Sequence, residues 1–271
     1  FHAADVSRFK LDANSRISLS NNDASGAVGT TLLGYNAGLS IVSGAINNTF
    51  IGHAVSDATM TNAADNNTGV GYIALGSLLA GSDNTAIGSN ALKFVEDGAY
   101  NTAVGTNAGG AFNDESHNTF IGYGSGQSGH AANCTAVGSN SLAGVTTTNA
   151  NGAVAIGLSA LGALTTARRC TAVGFQALDA MTVGDSGVGD STAVGYGALG
   201  ATTGKSNTGF GMGAGDTIVA GSNNTCVGSE SNVDDADAVN QTVIGFQTTG
   251  VADNSVTLGN ADVHSVYMNQ N

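Results

Sequence analysis

The chain contains no proline and no tryptophan. Without proline it cannot be collagen-like despite 41 glycines in 271 residues, because a collagen helix needs glycine at every third position together with abundant proline. Without tryptophan it lacks the largest aromatic platform for a sugar ring. Positive charge is scarce as well: seven Lys and Arg stand against 20 Asp and Glu, for a net charge of −13. Three of those seven, Arg8, Lys10 and Arg16, sit near the start, so the remainder is more acidic still. Nucleic-acid binding depends on clustered Lys and Arg and is excluded as an expectation. Only Glu96, Glu115 and Glu230 represent glutamate. No apolar run approaches the roughly 20 residues of a membrane-spanning helix, so membrane insertion is not expected. Hydrophobic content of 41% with 10% charged residues argues against disorder. Phe1 is not an initiating residue, and an upstream segment is expected.

What the sequence has is a cell written many times over. Asn101-Thr102-Ala103-Val104-Gly105 returns as Asn48-Thr49-Phe50-Ile51-Gly52, Asn84-Thr85-Ala86-Ile87-Gly88 and Asn118-Thr119-Phe120-Ile121-Gly122, with cysteine or serine leading at Cys134, Cys170 and Ser191. Looser copies include Val154-Ala155-Ile156-Gly157 and Ser255-Val256-Thr257-Leu258-Gly259. The closing glycines fall at 34, 52, 71, 88, 105, 122, 138, 157, 174, 195, 211, 228, 245 and 259. Their gaps run from 14 to 21 and centre on 17. A fixed period of this size marks a solenoid, in which each repeat is one unit that buries its apolar surface only by stacking on the next.

The cell is too short and too rich in β-branched residues for a helix, and reads as a strand. The fold class expected is all-β: a parallel β-roll or β-solenoid of about 14 coils with a period near 17 residues. Alternate residues of a strand share a face, so the Thr and Val positions point one way and the residue between them the other. The Val position holds only Leu, Ile, Val or Phe, and is assigned to the core: Val70, Ile87, Val104, Ile121, Val137, Ile156, Val173, Val194, Val227 and Ile244. Valine replaces Thr at Val154 and Val256, which supports the same inward direction for the Thr column. The middle column is small, and Ala86, Ala103, Ala136, Ala155, Ala172 and Ala193 are expected to form a subunit interface where sister chains approach closely. A homotrimer, side by side or intertwined, is the assembly expected.

Three or four residues beyond each glycine a second signal recurs, as in Ala74-Leu75, Ala91-Leu92 and Ala177-Leu178. It reads as a return strand whose Leu closes the core. Copies with glycine there (Ala37-Gly38, Ala108-Gly109, Ala214-Gly215) imply a thin core locally. The domain plan is a connector over 1–29 with a β-hairpin around Asp12-Ala13-Asn14-Ser15, the repeat over 30–260, and a tail over 261–271. Cys134 and Cys170 hold the same place in the cell two coils apart, about 10 Å at the usual strand spacing. That exceeds the roughly 7 Å between Cα atoms that a disulfide spans.

The cell resembles the head repeat of trimeric autotransporter adhesins, with Val154-Ala155-Ile156-Gly157 followed by Ser159 and Ala160 as the closest copy; Thr generally replaces the first Val, and the period is longer. The resemblance implies a left-handed parallel β-roll in a homotrimer. Residues 254–263, followed by Val266-Tyr267-Met268, are similar to the segment that precedes the self-cleaving chaperone of phage tail fibres and tailspikes. Coils such as Ser191 to Leu199 are also similar to those of such fibres. That resemblance implies that the chain stops at Asn271 because a chaperone has been removed.

Catalysis is not expected. The glutamates lie in different loops, the aspartates scatter through turns, and His2, His53, His117, His130 and His264 lack metal spacing. Gly209-Phe210-Gly211-Met212-Gly213 lacks the strand-to-helix setting of a nucleotide loop. No cofactor is expected, with Ca2+ in acidic loops such as Asp234-Asp235-Ala236-Asp237 kept as an alternative. Tyr35, Tyr72, Tyr123 and Tyr196 follow the cell glycine and read as a flanking stripe. The function expected is a structural and receptor-binding fibre domain, extracellular on a virion tail, engaging a host cell-surface glycan or protein. The alternatives are the head of a bacterial surface adhesin, an ice-binding solenoid, a self-polymerising filament and a glycan-degrading enzyme. The inward Thr column counts against ice binding.

Overall fold

The computed structural model describes residues 2–3, 6–7, 10–11, 17–18, 28–128, 131–144, 151–165, 168–181 and 189–267. Four short strands come first: β1 (His2–Ala3), β2 (Val6–Ser7), β3 (Lys10–Leu11) and β4 (Ile17–Ser18). They pair antiparallel, β1 with β2 and β3 with β4, the latter by Leu11 opposite Ile17. Fourteen three-residue strands follow: β5 (Thr31–Leu33), β6 (Thr49–Ile51), β7 (Thr68–Val70), β8 (Thr85–Ile87), β9 (Thr102–Val104), β10 (Thr119–Ile121) and β11 (Thr135–Val137), then β12 (Val154–Ile156), β13 (Thr171–Val173), β14 (Thr192–Val194), β15 (Thr208–Phe210), β16 (Thr225–Val227), β17 (Thr242–Ile244) and β18 (Val256–Leu258).

These fourteen form one parallel sheet in strict chain order. The register is unshifted, so Thr119 pairs Thr102, Phe120 pairs Ala103 and Ile121 pairs Val104. Each cell is therefore one rung of a β-solenoid with a period near 17. No helix occurs among the described residues.

The faces are the reverse of those expected from sequence. Ala86, Ala103, Ala136, Ala155, Ala172 and Ala193 are 0% exposed and belong to the chain's own core, so no sister chain can reach them. Val70, Val104, Val137, Val173, Val194 and Val227 are partly exposed on the other side, and Ile87, Ile121, Ile156 and Ile244 are more so, at about 40%. The Thr column shares that outer face. The physical reason is the width of the coil. The wall opposite the strand carries the large side chains, Leu75, Leu92, Leu142, Leu161, Leu178 and Leu199, all fully buried. With that volume filled from across the lumen, the inward strand position has room for little more than a methyl group. Smallness there records a narrow interior.

The exceptions follow the same rule. Phe50 and Phe120 occupy the inward position and are 0% exposed. The arm position of the Phe120 coil is Gly126 and that of the preceding coil Gly109, while the Phe50 coil carries the small, buried Ser56: a Cβ on Gly126 would stand 2.5 Å from the Phe120 ring, and one on Gly109 would stand 3.0 Å from it. A Cβ on Gly38 would stand 3.3 Å from Phe50. Around Gly38, Gly109 and Gly126 a phenylalanine of the strand column thus fills the core. Phe112 adds a tilted ring contact to Phe120 at 4.6 Å.

The return arm is not a strand. From the coil closed by Gly34 to that closed by Gly211, the second and fourth residues after the closing glycine adopt left-handed backbone angles, as in Asn90 (φ 57°) with Leu92 (φ 46°) and Asn140 (φ 52°) with Leu142 (φ 52°). A left-handed leucine costs on the order of 1–2 kcal/mol. Burying its side chain, worth about 1.5–3 kcal/mol, offsets this. The arm also bonds coil to coil: Leu92 N–H donates to the Ala108 carbonyl at 3.0 Å and Leu178 N–H to that of Ala198 at 3.1 Å.

Each strand ends on a glycine with φ between 129° and 142° from Gly34 to Gly245. From Gly34 to Gly228, a Cβ at this position would lie 2.0–2.6 Å from the carbonyl oxygen of the next closing glycine, so the column tolerates no side chain. Before the strand runs a buried amide ladder. The Oδ1 of Asn84 accepts from Asn101 N–H and that of Asn101 from Asn118 N–H, both at 3.0 Å. Asn101 Nδ2 donates to the Glu115 carbonyl at 2.8 Å. The ladder breaks at Cys134, Ala153 and Cys170, then resumes from Ser191 through Asn207 and Asn224 to Gln241.

Candidate functional site

The sheet and its faces place every candidate, and the outer face carries a column of exposed and partly exposed apolar side chains. Thr and Val are β-branched and favour a pleated, half-buried surface. Stacked in register at about 4.8 Å they shield one another, so partial exposure is what an outward column gives. Within a strand, Thr and Val columns lie about 7 Å apart. Phe210 and Leu258 take the Val place in β15 and β18 and are exposed.

Beyond the closing glycine stands a third column with many aromatics: Tyr35, Tyr72, Tyr123, Tyr196 and Phe246 are all at least half-exposed. Rings that follow one another up the column stack. Tyr35 and His53 lie 5.3 Å apart, His53 and Tyr72 5.4 Å, and Phe175 and Tyr196 5.4 Å. The expected tyrosine stripe is there, and it faces solvent. His117 stacks on Tyr100 at 5.0 Å in a different part of the coil. His130 lies outside the described residues.

No group of three or more His, Cys, Asp or Glu suited to a metal ion occurs among the described residues. The acidic loop borders a shallow cavity of about 390 Å³ with Asp234, Asp235, Asp237 and Asp253 on its walls. Its carboxylates already have work to do. Asp253 accepts from Val239 N–H at 2.8 Å, Asp235 from Asp237 N–H at 2.9 Å, and Asp234 from the Gln241 amide. Gln241 Oε1, Thr248 Oγ1 and Thr257 Oγ1 are buried without a partner near this end of the solenoid.

The three glutamates remain apart in separate coils. Glu115 caps Asn113 N–H at 2.9 Å and Glu230 accepts from Gln247 Nε2 at 2.7 Å. Arg169 and Asp190 form a bidentate ion pair at 2.6 and 2.7 Å, and the guanidinium draws the Asp190 carboxyl below its ordinary range. Cys134, Cys170 and Cys226 are buried and form no disulfide. Burial pushes the Cys170 and Cys226 thiols up to about 11, which leaves them protonated and inert as nucleophiles.

Sequence reasoning missed a groove of about 320 Å³ on the arm side of three coils, lined by Asn90, Lys93, Phe94, Asn107, Ala111 and Gln127 among others. Its residues are remote in sequence and meet only once the coil register is set. No protein-family model, no curated protein and no solved structure matches the chain.

Proposed function

We propose that the chain is a structural and receptor-binding segment of a phage tail fibre, a homotrimer that attaches the virion to a host cell surface. A single observation carries the reading: the outer face of the sheet keeps a column of Val, Ile, Leu and Phe at least partly exposed over its whole length, beside a column that is mostly Thr. Fourteen rungs at about 4.8 Å give a face on the order of 60 Å long and 10 Å wide, or about 600 Å², roughly half of it apolar. The apolar half is within the range of the largest apolar patches found on monomers, and the whole face approaches the ~800 Å² each partner contributes to a standard interface. The flanking aromatic column widens it. With the alanines inside, sister chains would meet on the Val/Ile column. A stiff rod of this kind presents each loop three times, so weak contacts add through avidity.

Light scattering at fixed protomer concentration tests the assembly. The expected mass is three times 26.5 kDa, and Ile87→Asp combined with Ile121→Asp and Ile156→Asp should give a folded particle of 26.5 kDa. A wild-type chain that is folded at the single-chain mass overturns the trimer. Binding of the fluorescently labelled protein to a panel of bacterial strains tests attachment, and adherence to none of them would sink it.

A second reading is favoured by the outward Thr column, which removes the reason to set ice binding aside. Regular hydroxyl and methyl rows on a flat solenoid face can order water. The two uses of one face exclude each other, since a face covered by sister chains meets no ice. A monomer that shows thermal hysteresis would favour this second reading over the fibre.

A further inference from the structure

In five of the fourteen coils the fifth and sixth residues after the closing glycine are both Gly, Ala or Ser, as in Gly76-Ser77, Gly162-Ala163 and Gly200-Ala201. One coil carries Lys93-Phe94 instead, the next Gly110-Ala111 and the one after it Gln127-Ser128. The bulky pair and the glutamine thus stand on either side of a coil with almost no side chain, and the depression between them is the groove of about 320 Å³. That volume is at the lower end of the range of small-molecule sites, about 300–1,000 Å³. Folding does not account for this arrangement. Phe94 is 49% exposed, and neither its ring nor the lysine fills the core.

The lining has a definite chemistry. Lys93 Nζ sits over the Phe94 ring at 4.9 Å, which holds the ammonium at the rim. Lys93 has no ion-pair partner among the described residues, although the chain is strongly acidic. Across the floor Asn90 Nδ2 donates to Asn107 Oδ1 at 3.2 Å. That bond fixes both amides and leaves Asn90 Oδ1 as a free acceptor and Asn107 Nδ2 as a free donor. The Gln127 amide also makes no hydrogen bond to a described residue. A held cation, three amides and an apolar wall match a small, polyhydroxylated anion.

We propose that this groove binds one acidic sugar unit of a surface glycan. Lys93 takes the carboxylate in a charge-assisted hydrogen bond, Asn90, Asn107 and Gln127 read hydroxyls, and Phe94 covers the C–H face. The proposal rests on the attachment role above and names the ligand class for it. It uses no residue of the outer sheet face.

The test is saturation-transfer NMR and titration of the whole chain with glucuronic acid, N-acetylneuraminic acid and, as the neutral probe, glucose. At least one acid should bind about tenfold or more tightly than glucose, as expected of a charged hydrogen bond. Lys93→Met should remove that preference, and Ala111→Trp, which fills the floor, should abolish binding, both with unchanged unfolding and mass. Acids that bind no better than glucose, or that bind both variants like the wild type, overturn the groove. If the protein adheres to cells and Lys93→Met adheres equally, the groove is wrong and the attachment role stands. If acids bind as described and no cell is adhered to, the groove stands and the attachment role falls.

Discussion

The reversed faces can be tested by exchanging volume across the lumen. In six of the fourteen coils the inward strand residue is Ala or Gly and the left-handed arm carries Leu; around Phe120 the arrangement is inverted, with Gly126 across from it. Phe120→Ala alone empties a site that is 0% exposed, and core Phe→Ala changes cost about 3–5 kcal/mol. Gly126→Leu alone drives a Cβ to 2.5 Å from the ring and puts leucine at φ 62°. Overpacking of about 1–3 kcal/mol and a left-handed cost of about 1 kcal/mol add to roughly 2–4 kcal/mol. Independent sites would therefore lose about 5–9 kcal/mol together. The double variant instead rebuilds the Ala-and-Leu pattern of the coil at Ala136 and Leu142, and should recover about 2 kcal/mol or more of that sum. Space beside Gly109 stays empty, so recovery is incomplete. Urea unfolding at fixed protomer concentration gives the cycle, and amide exchange in β9 to β11 localises it. Strict additivity would refute an inward Phe120 that faces the arm.

Asn101→Ala should remove the acceptor of both the N–H and the side-chain amide of Asn118 inside the ladder; at about 1–3 kcal/mol per buried orphan, a loss near 3 kcal/mol is expected in thermal melts. Gly105→Ala should not yield soluble folded protein, because its Cβ meets the Gly122 carbonyl at 2.5 Å; recovery from the soluble fraction checks this. Thiol reagents at pH 8 should label none of the three cysteines in the folded chain and all three in denaturant, by spectrophotometric count. The folded thiols of Cys170 and Cys226 are raised from an ordinary value of 9.0 to about 11, so the unfolded state loses its protons first. Stability should then fall as pH rises above about 9, and hold below it.

The repeat, its period and the parallel stacking were legible from the spacing of glycines and the Asn-Thr start of each cell. The direction of the strand was not. An apolar, β-branched column such as Val104 and Ile121 reads as core whenever apolarity alone decides, yet the same residues suit an outward sheet face. The signal that decides is volume matched across the coil. Phe50 and Phe120 appear in the inward column next to Gly38, Gly109 and Gly126 in the arm, and Ala86, Ala136, Ala155, Ala172 and Ala193 appear in coils whose arm carries Leu. The left-handed arm was hidden because leucine is an unusual residue for it; glycine at the equivalent places was the clue. The groove at Lys93 depends on one exceptional pair, visible only after coils are aligned by their closing glycines.

The glycine column has a consequence for how such a rod changes length. Each closing glycine presents the same bare backbone above and below, so the column itself accepts one more cell or one fewer. Adding or deleting a whole cell would lengthen or shorten the rod by about 4.8 Å wherever the inward side chains of the new neighbours still match in volume, as Gly109 and Phe120 do now. A shift out of phase would bring a side chain into that column and break the stack. Reach is therefore adjustable in steps, by duplication and loss of interchangeable parts, while the loops between them diverge freely.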